Sequence, residues 1–263
     1  AEMYRSKGWH VVVGDLTHGE GLEKLPSGIG CIVHAAAMFR GDTNLILKNN
    51  ILSTFAVARF MEARQIPAIV FLSTAAVYGE TSLQRPATET DAPNPPTSYG
   101  ISKLIGEFIL QQAVVLNRIQ SVVVLRCGNI YGPRCTKGMV YELAGRIIKG
   151  ESIQIDGDGS QVRDPLHVDD LTVLLKLLLG GGCIRPGFTV YNVSGKTALT
   201  VLELAKIIAE VFGKKLAVAY SGKPAGLPHI LVLNSSKIAD DLHWEPTIEL
   251  REGFLKIPHH SAP

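Results

Sequence analysis

The sequence predicts an α/β chain built on a doubly wound parallel sheet, with a smaller lobe toward the C-terminus. Three observations predict it. Short apolar runs alternate with longer stretches of helical period, the mark of strand–helix–strand units. The apolar runs are continuous rather than alternating, as in strands buried on both faces. After Pro133 the composition shifts toward Gly, Pro and Lys with shorter apolar runs, which suggests a second lobe over the C-terminal ends of the strands.

Each element has its own signal. Residues 10–13 form a β-branched run closed by Gly14 and Asp15 and read as the first strand. Runs at 31–37, 69–72, 121–125 and 189–193 read as four more. Between them, residues 50–64 carry Ile51, Phe55, Ala58 and Met61 near a 3.6-residue period, so a helix is expected there, with Asn50 opening and capping it. A second helix is expected over 99–116, after the Pro-rich stretch 92–96, with Thr97 or Ser98 as its cap. A third spans 200–212, capped by Thr200 and stopped by Gly213.

The charge balance narrows the partners. The chain has 263 residues, 19% of them charged, and a formal net charge of +2. Its basic residues are scattered, which favours neither nucleic acid nor an anionic membrane. The longest apolar run, 171–179, is broken by Lys176 and falls far short of the ~20 residues needed to span a bilayer. The four cysteines have neither CxxC nor metal-type spacing, so they are expected to be reduced thiols of a cytoplasmic protein, with no bound metal.

The residues that carry chemistry begin with Tyr99 and Lys103. At i and i+4 they share a helix face, and an ammonium beside a phenol favours the phenolate, a usable base near neutral pH. Spacing alone also fits an ordinary surface pair. Upstream, the run 69–72 leads into Ser73 and Thr74, whose hydroxyls stand at the C-terminal end of a strand, where such sheets bind ligands; a capping role is the alternative. Small residues Ala35, Ala36 and Ala37 follow another strand and allow close approach. Downstream come Arg126, Cys127, Gly128 and Asn129 before Tyr131-Gly-Pro133, then the stretch 155–164 ending in Arg163-Asp164, then His167, Lys223-Pro-Ala-Gly226 and Trp244-Glu-Pro246.

In this order and spacing the motifs resemble the extended short-chain dehydrogenase/reductase family, and most closely its nucleotide-sugar epimerase/dehydratase branch, of which the chain is identified as a member over about residues 10–256. The resemblance implies a Rossmann-like sheet, an NAD cofactor and a nucleotide-diphosphate sugar as substrate. It implies that Tyr99 is the catalytic base, that Lys103 supports it and binds the nicotinamide ribose, and that Thr74 hydrogen-bonds the reacting hydroxyl. Asp15 and Leu16 correspond to the adenine contact, and Ala35, Ala36, Ala37, Asn50, Ser73 and Cys127 to the rest of the cofactor wall. Asn129, Arg163 and Lys223 correspond to substrate contacts, the last two at the diphosphate. Arg163 paired only with Asp164, and Lys223 as a solvated lobe residue, are the structural alternatives. Trp244 reads as packing. The implied cycle removes a hydride from the sugar, turns over a 4-keto sugar and returns the hydride. Ala75 and Ala76 stand where the family's dehydratases carry acidic residues, so epimerase, or simple reductase, is expected over dehydratase. A cofactor-less binding relative is the non-enzyme reading.

The expected cofactor domain covers 1–133 and 163–196, and the substrate lobe 134–162 and 197–263. The family's opening strand, Gly-rich turn and helix, which hold pyrophosphate, have no counterpart in the sequence. Residues 10–15 best match the family's third strand, or else its second with a deletion. Loss of the first two strands would leave the strand with Ile32 and Val33 at an unpaired edge. The expectation is an N-terminally truncated fragment with poor NAD affinity; the rival is a shrunken sheet in which 10–13 pairs directly with 31–35. The resemblance also implies a homodimer through helices such as 50–64 and 99–116.

Overall fold

Strands form where β-branched runs find a paired neighbour, and helices where apolar residues fall on one face. The computed structural model describes residues 2–180, 182–226 and 228–257. Its elements begin with α1 (Glu2–Arg5), β1 (Cys31–His34), α2 (Thr43–Arg64), β2 (Ala68–Thr74), α3 (Ser98–Val115) and β3 (Ser121–Cys127). There follow β4 (Ile130–Tyr131), α4 (Met139–Lys149), β5 (Ile153–Ile155), β6 (Val162–Arg163), β7 (Leu166–His167) and α5 (Val168–Gly180). The remainder is β8 (Gly187–Val193), β9 (Leu199–Thr200), α6 (Val201–Val211), β10 (Val218–Tyr220), β11 (Ile230–Leu231), α7 (Ser236–Leu242) and α8 (Leu250–Leu255).

The main sheet has the order β1-β2-β3-β8. Strands β1 and β2 run parallel, with Cys31 opposite Ala68 and His34 opposite Phe71. The path β1–α2–β2–α3–β3 is the predicted α/β alternation. The chain divides into two compact units: Ala1–Ser73, Thr97–Leu125 and Ile184–Val190 form one, and Thr74–Pro96, Arg126–Cys183 and Tyr191–Pro263 the other.

The first unit buries alternate residues of its strands against its helices. Ile69 and Phe71 of β2 and Val122 and Val124 of β3 join Val57, Met61 and Leu110 in one apolar cluster. That alternation follows from the two-residue period of a strand. Helices α2 and α3 lie side by side, and a Cβ on Gly106 of α3 would lie 2.8 Å from Cζ of Phe71.

The second unit has its own core. Val140, Leu143 and Ile147 of α4 meet Leu204 and Ile208 of α6, with Ile153, Ile155 and Phe254. Helix α6 begins in a full capping box: the Thr200 hydroxyl accepts from the Glu203 amide, and the Glu203 carboxylate accepts from the Thr200 amide. Small parallel pairs, β10 with β5, β11 with β6 and β4 with β7, belong to this unit, and β9 joins β6 antiparallel. Trp244 is buried, as expected for packing.

Three sequence expectations need correction. Residues 10–13 are not a strand: they run as irregular chain, with Val13 72% exposed. Among the described residues β1 pairs only with β2, so the direct pairing of 10–13 with 31–35 does not occur and one edge of β1 is open. The segment lies instead against residues 15–24: a Cβ on Gly14 would sit 2.1 Å from the Glu20 carbonyl oxygen, and the His10 ring bonds the Lys24 carbonyl at 3.3 Å. Second, α2 starts at Thr43, not Asn50; its cap is Asp42, whose carboxylate accepts from the Leu45 amide at 3.0 Å. The apolar period was visible only over the later turns, because in 43–49 the apolar residues Leu45, Ile46 and Leu47 stand side by side rather than at helical spacing. Third, the strand expected over 31–37 ends at His34, leaving Ala35, Ala36 and Ala37 exposed and unpaired.

Candidate active site

Helix α3 sets the geometry in the first unit. Thr97 caps it, its hydroxyl accepting from the Gly100 amide at 3.1 Å. The first two turns then present Tyr99, half-buried, and Lys103, only 2% exposed. The Lys103 ammonium lies 4.0 Å from the centre of the Phe71 ring, a cation–π contact that offsets part of its desolvation. Glu107, one turn further, is also buried and accepts from the Ser73 hydroxyl at 2.5 Å. The residues 99, 103 and 107 thus form one stripe of α3, and the stripe meets the C-terminal end of β2. The ring of Phe39 meets that of Tyr99 edge-on, with centroids 6.4 Å apart.

His34 closes β1. Its ring is 3% exposed and bonds the Thr54 hydroxyl at 3.1 Å. Thr54 already donates its one hydroxyl proton to the Asn50 carbonyl at 2.9 Å, so the imidazole Nε2 must be the donor. Burial, and then the positive charge of Lys103, push the His34 pKa down to about 4. Asn50, predicted at the cofactor wall, lies on α2 with its amide bonded to Met38 and Ser102. Asp15 and Leu16 stand at a short 3-10 turn (Leu16–His18). The Asp15 carboxylate accepts from the Thr17 amide and hydroxyl at 2.8 and 2.7 Å, and those bonds hold its pKa below the usual carboxylate range.

The second unit holds the other predicted residues. Thr74 is half-buried at the end of β2 and its hydroxyl accepts from the Ala76 amide at 3.2 Å. Ala75 is 1% exposed. Tyr78 and Arg126 are both buried: Arg126 donates to the Tyr78 hydroxyl at 2.8 Å, and that hydroxyl donates to Asn192 Oδ1 at 2.7 Å. Burial pushes the Tyr78 phenol up to about 12, so it is a structural hydrogen-bonding group rather than a base. Cys127 is buried. The Asn129 carbonyl accepts from the Leu166 amide at 2.9 Å.

Arg163 is half-buried, and its guanidinium donates to the carbonyls of Val162, His229 and Pro228 at 2.7, 2.9 and 2.8 Å. It is a strut under the 228–230 segment, which the Glu80 carboxylate also holds through two backbone amides at 2.6 Å. Its neighbour Asp164 is 3% exposed, and burial raises its carboxyl pKa to about 7. Lys223 is exposed, its amide donating to the Ser221 hydroxyl. Among the described residues no group of three or more His, Cys, Asp or Glu could hold a metal ion.

The pattern of the NAD dependent epimerase/dehydratase family matches residues 2–193. The chain belongs to that family. A UDP-glucose epimerase of Bacillus subtilis, itself uncharacterised, is 31% identical over 206 residues, which are 76% of this chain and 63% of that protein. The chain therefore spans less than two thirds of that relative's length. A dTDP-glucose 4,6-dehydratase of an Actinoplanes species is 30% identical over 97% of this chain and 81% of its own length. Among solved structures, the UDP-glucose 4-epimerase of Thermus thermophilus in complex with NAD superposes with a TM-score of 0.84. It is 28% identical, over 95% of this chain and 84% of that one.

Within this epimerase/dehydratase chain, the structure brings Ser73, Tyr99, Lys103 and Asn50 together in the first unit. Glu107, Ser102 and Met38 belong to the same cluster and were missed. Glu107 had a signal: it lies four residues after Lys103 and eight after Tyr99, on the same helix face. Met38 had none, because it takes part through its backbone.

Proposed function

We propose that this family member epimerises a nucleotide-diphosphate sugar with NAD, through a 4-keto sugar. The observation that carries the reading is the α3 stripe, with Lys103 buried against Phe71 one turn from Tyr99. In this reading a cationic Lys103 stabilises the Tyr99 phenolate. Tyr99 takes the proton of the sugar hydroxyl, and the Thr74 hydroxyl bonds the same oxygen. NAD, when bound, accepts the hydride and gives it back. Ala75 and Ala76 have no proton to give or take, which disfavours elimination of water. Asn129 and Lys223 are assigned to the substrate side, with Arg163 as the brace of the 228–230 segment, and Asp15, Leu16, Ala35, Ala36, Ala37, Asn50, Ser73 and Cys127 to the cofactor side. On this reading the cofactor half covers 1–133 and 163–196, and the sugar half 134–162 and 197–263.

The fit to NAD divides along the cofactor. On the nicotinamide side the donor set suits it: an ammonium and a phenol on one helix face, and three exposed alanines after β1 that leave room for close approach. On the pyrophosphate side, the described residues ahead of β1 hold one four-residue helix and two 3-10 turns, and no glycine-rich turn opening a longer helix. The second reading is a binding relative without the cofactor.

One experiment separates the two readings: titrate the purified chain with NAD, then assay UDP-glucose turnover with NAD in excess and no added NADH. Epimer formation that falls by ~10²–10⁴ in Tyr99→Phe is expected from loss of the base. A folded chain that takes up no NAD supports the binding reading, and undiminished turnover in Tyr99→Phe overturns the mechanism.

We also assign a homodimer through α2 and α3. Phe55, Phe108 and Leu116 are 49%, 56% and 49% exposed around a groove of about 350 Å³ between these helices. Exposed apolar surface of this kind favours association. Phe108→Glu is expected to turn a sedimenting dimer into a monomer; a wild type that sediments as a monomer removes the assignment. The four free cysteines support a reducing, cytoplasmic location, and among the described residues no helix is long and apolar enough to cross a membrane.

A further inference from the structure

Lysine is almost never fully buried unless its ammonium has a partner, yet Lys103 is 2% exposed. One partner is a ring face. The ammonium lies 4.0 Å from the centre of the Phe71 ring, where the ring quadrupole attracts a cation. The ring reaches that place because α3 leaves room for it. Gly106 stands three residues after Lys103, on the same helix face. A Cβ at 106 would lie 2.8 Å from Cζ and 3.3 Å from Cε1 of Phe71, so the ring fills the slot that a side chain would take. Glycine is unfavourable inside a helix, and the slot accounts for its presence here. The ring has no room to turn away. It has no exposure, it shares a core cluster with Met61, Leu110, Val122 and Val124, and the His34 ring stands 5.4 Å from it on the neighbouring strand, in register.

Three titratable groups surround this ammonium: Tyr99 and Glu107, one turn to either side on α3, and His34 on β1. Glu107 accepts from the Ser73 hydroxyl. His34 responds to the ammonium: after burial, the positive charge of Lys103 is the cause that lowers its pKa. A buried imidazole therefore reports where that charge sits. We propose that Phe71 is a positioning residue: seated in the slot at Gly106, its ring face holds the Lys103 ammonium in place, and charged, one turn from Tyr99. The holding stands on contacts within this unit; its effect on the base rests on the reading above. A flexible four-carbon stem does not by itself fix an ammonium. A carboxylate in the place of the ring would fix it, but its negative charge would raise the phenol pKa that the lysine has to lower. An aromatic face holds the cation and leaves its field intact.

The test replaces Phe71 site-specifically by trifluorophenylalanine, which keeps the ring's shape and withdraws electron density from its face. Titrations are followed by NMR at the His34 ring and at the Tyr99 phenol, the latter assigned by its loss in Tyr99→Phe. A charge that is weakened or displaced should raise both midpoints by about half a pH unit, the size of one cation–π contact. Unmoved midpoints in a folded chain overturn the proposal, because the ring then only packs. Lys103→Met supplies the control. In that background fluorination must leave His34 where it is, and a shift that persists overturns the proposal, since the ring then acts on His34 directly. Should the fluorinated chain not fold, Phe71→Met, apolar and without a ring face, is read by the same two outcomes. Assaying UDP-glucose turnover with NAD in excess separates this idea from the epimerase reading. Moved midpoints in a folded chain that turns over nothing leave the positioning role standing and remove the epimerase reading. Turnover whose pH profile ignores fluorination, with unmoved midpoints, removes the positioning role alone.

Discussion

His34 shows how one side chain reads its surroundings. It is buried at the end of β1, its Nε2 proton is committed to Thr54, and the ammonium of Lys103 lies close enough to repel a second positive charge. Its pKa falls from 6.5 to about 4. The unfolded chain therefore binds a proton that the folded chain refuses between about pH 6.5 and 4, and stability declines as the pH drops through that window. The integrated effect is about 3 kcal/mol. Asp164 works in the opposite sense: its carboxyl is raised to about 7, so the folded state holds the extra proton, and its contribution weakens as the pH rises toward 7. Because the two oppose each other, a bulk unfolding curve would blur them. The ring resonances of His34 are the cleaner readout, and they should stay those of a neutral imidazole down to about pH 4. A midpoint near 6.5 would show the ring to be solvated. The pair Tyr99 and Lys103 was legible at this scale because helix period alone puts them on one face; Glu107 carries the same signal and was missed. The environment of His34 was not, since it depends on residues from three separate segments.

At the scale of the element, α3 joins sequence signal and packing constraint. Its length, a cap at Thr97 or Ser98 and its Tyr–Lys spacing were readable, and the structure selects Thr97. The closeness of α3 to β2 was not. A Cβ on Gly106 would lie 2.8 Å from Cζ of Phe71, a ring with no exposure and no room to yield. Gly106→Ala should therefore destabilise the chain even though alanine is the better helix former. Overpacking costs ~1–3 kcal/mol against about 0.5–1 kcal/mol gained in helix propensity, so urea unfolding should show a net loss of about 1 kcal/mol. A gain would mean that the helix can move away from the sheet. Residues 10–13 teach the reverse lesson. Their β-branched run looked like a strand, but a strand exists only when its backbone groups are paired, and no partner is supplied to them among the described residues.

For the whole molecule, the open edge of β1 has the largest consequence. It leaves the backbone of Cys31–His34 with one side unpaired among the described residues, flanked by the half-buried apolar side chains of Ile32 and Val33. Such an edge templates further pairing. Ile32→Lys places a charge beside it and should reduce concentration-dependent association seen by light scattering, without altering the helical circular dichroism. Equal scattering from both proteins would place the sticky surface elsewhere, with the exposed α2–α3 face the next candidate. The alternation of strand and helix, the Tyr99–Lys103 pair, the Thr200 cap and membership of the epimerase/dehydratase family were determined by the sequence itself, because each depends on residues near one another in the chain. Tertiary structure alone decided where β1 ends, that among the described residues it pairs only with β2, that Arg163 braces the 228–230 segment and that Asn50 clamps a loop to a helix. These depend on backbone groups and on contacts between distant segments, and neither leaves a pattern in the order of side chains.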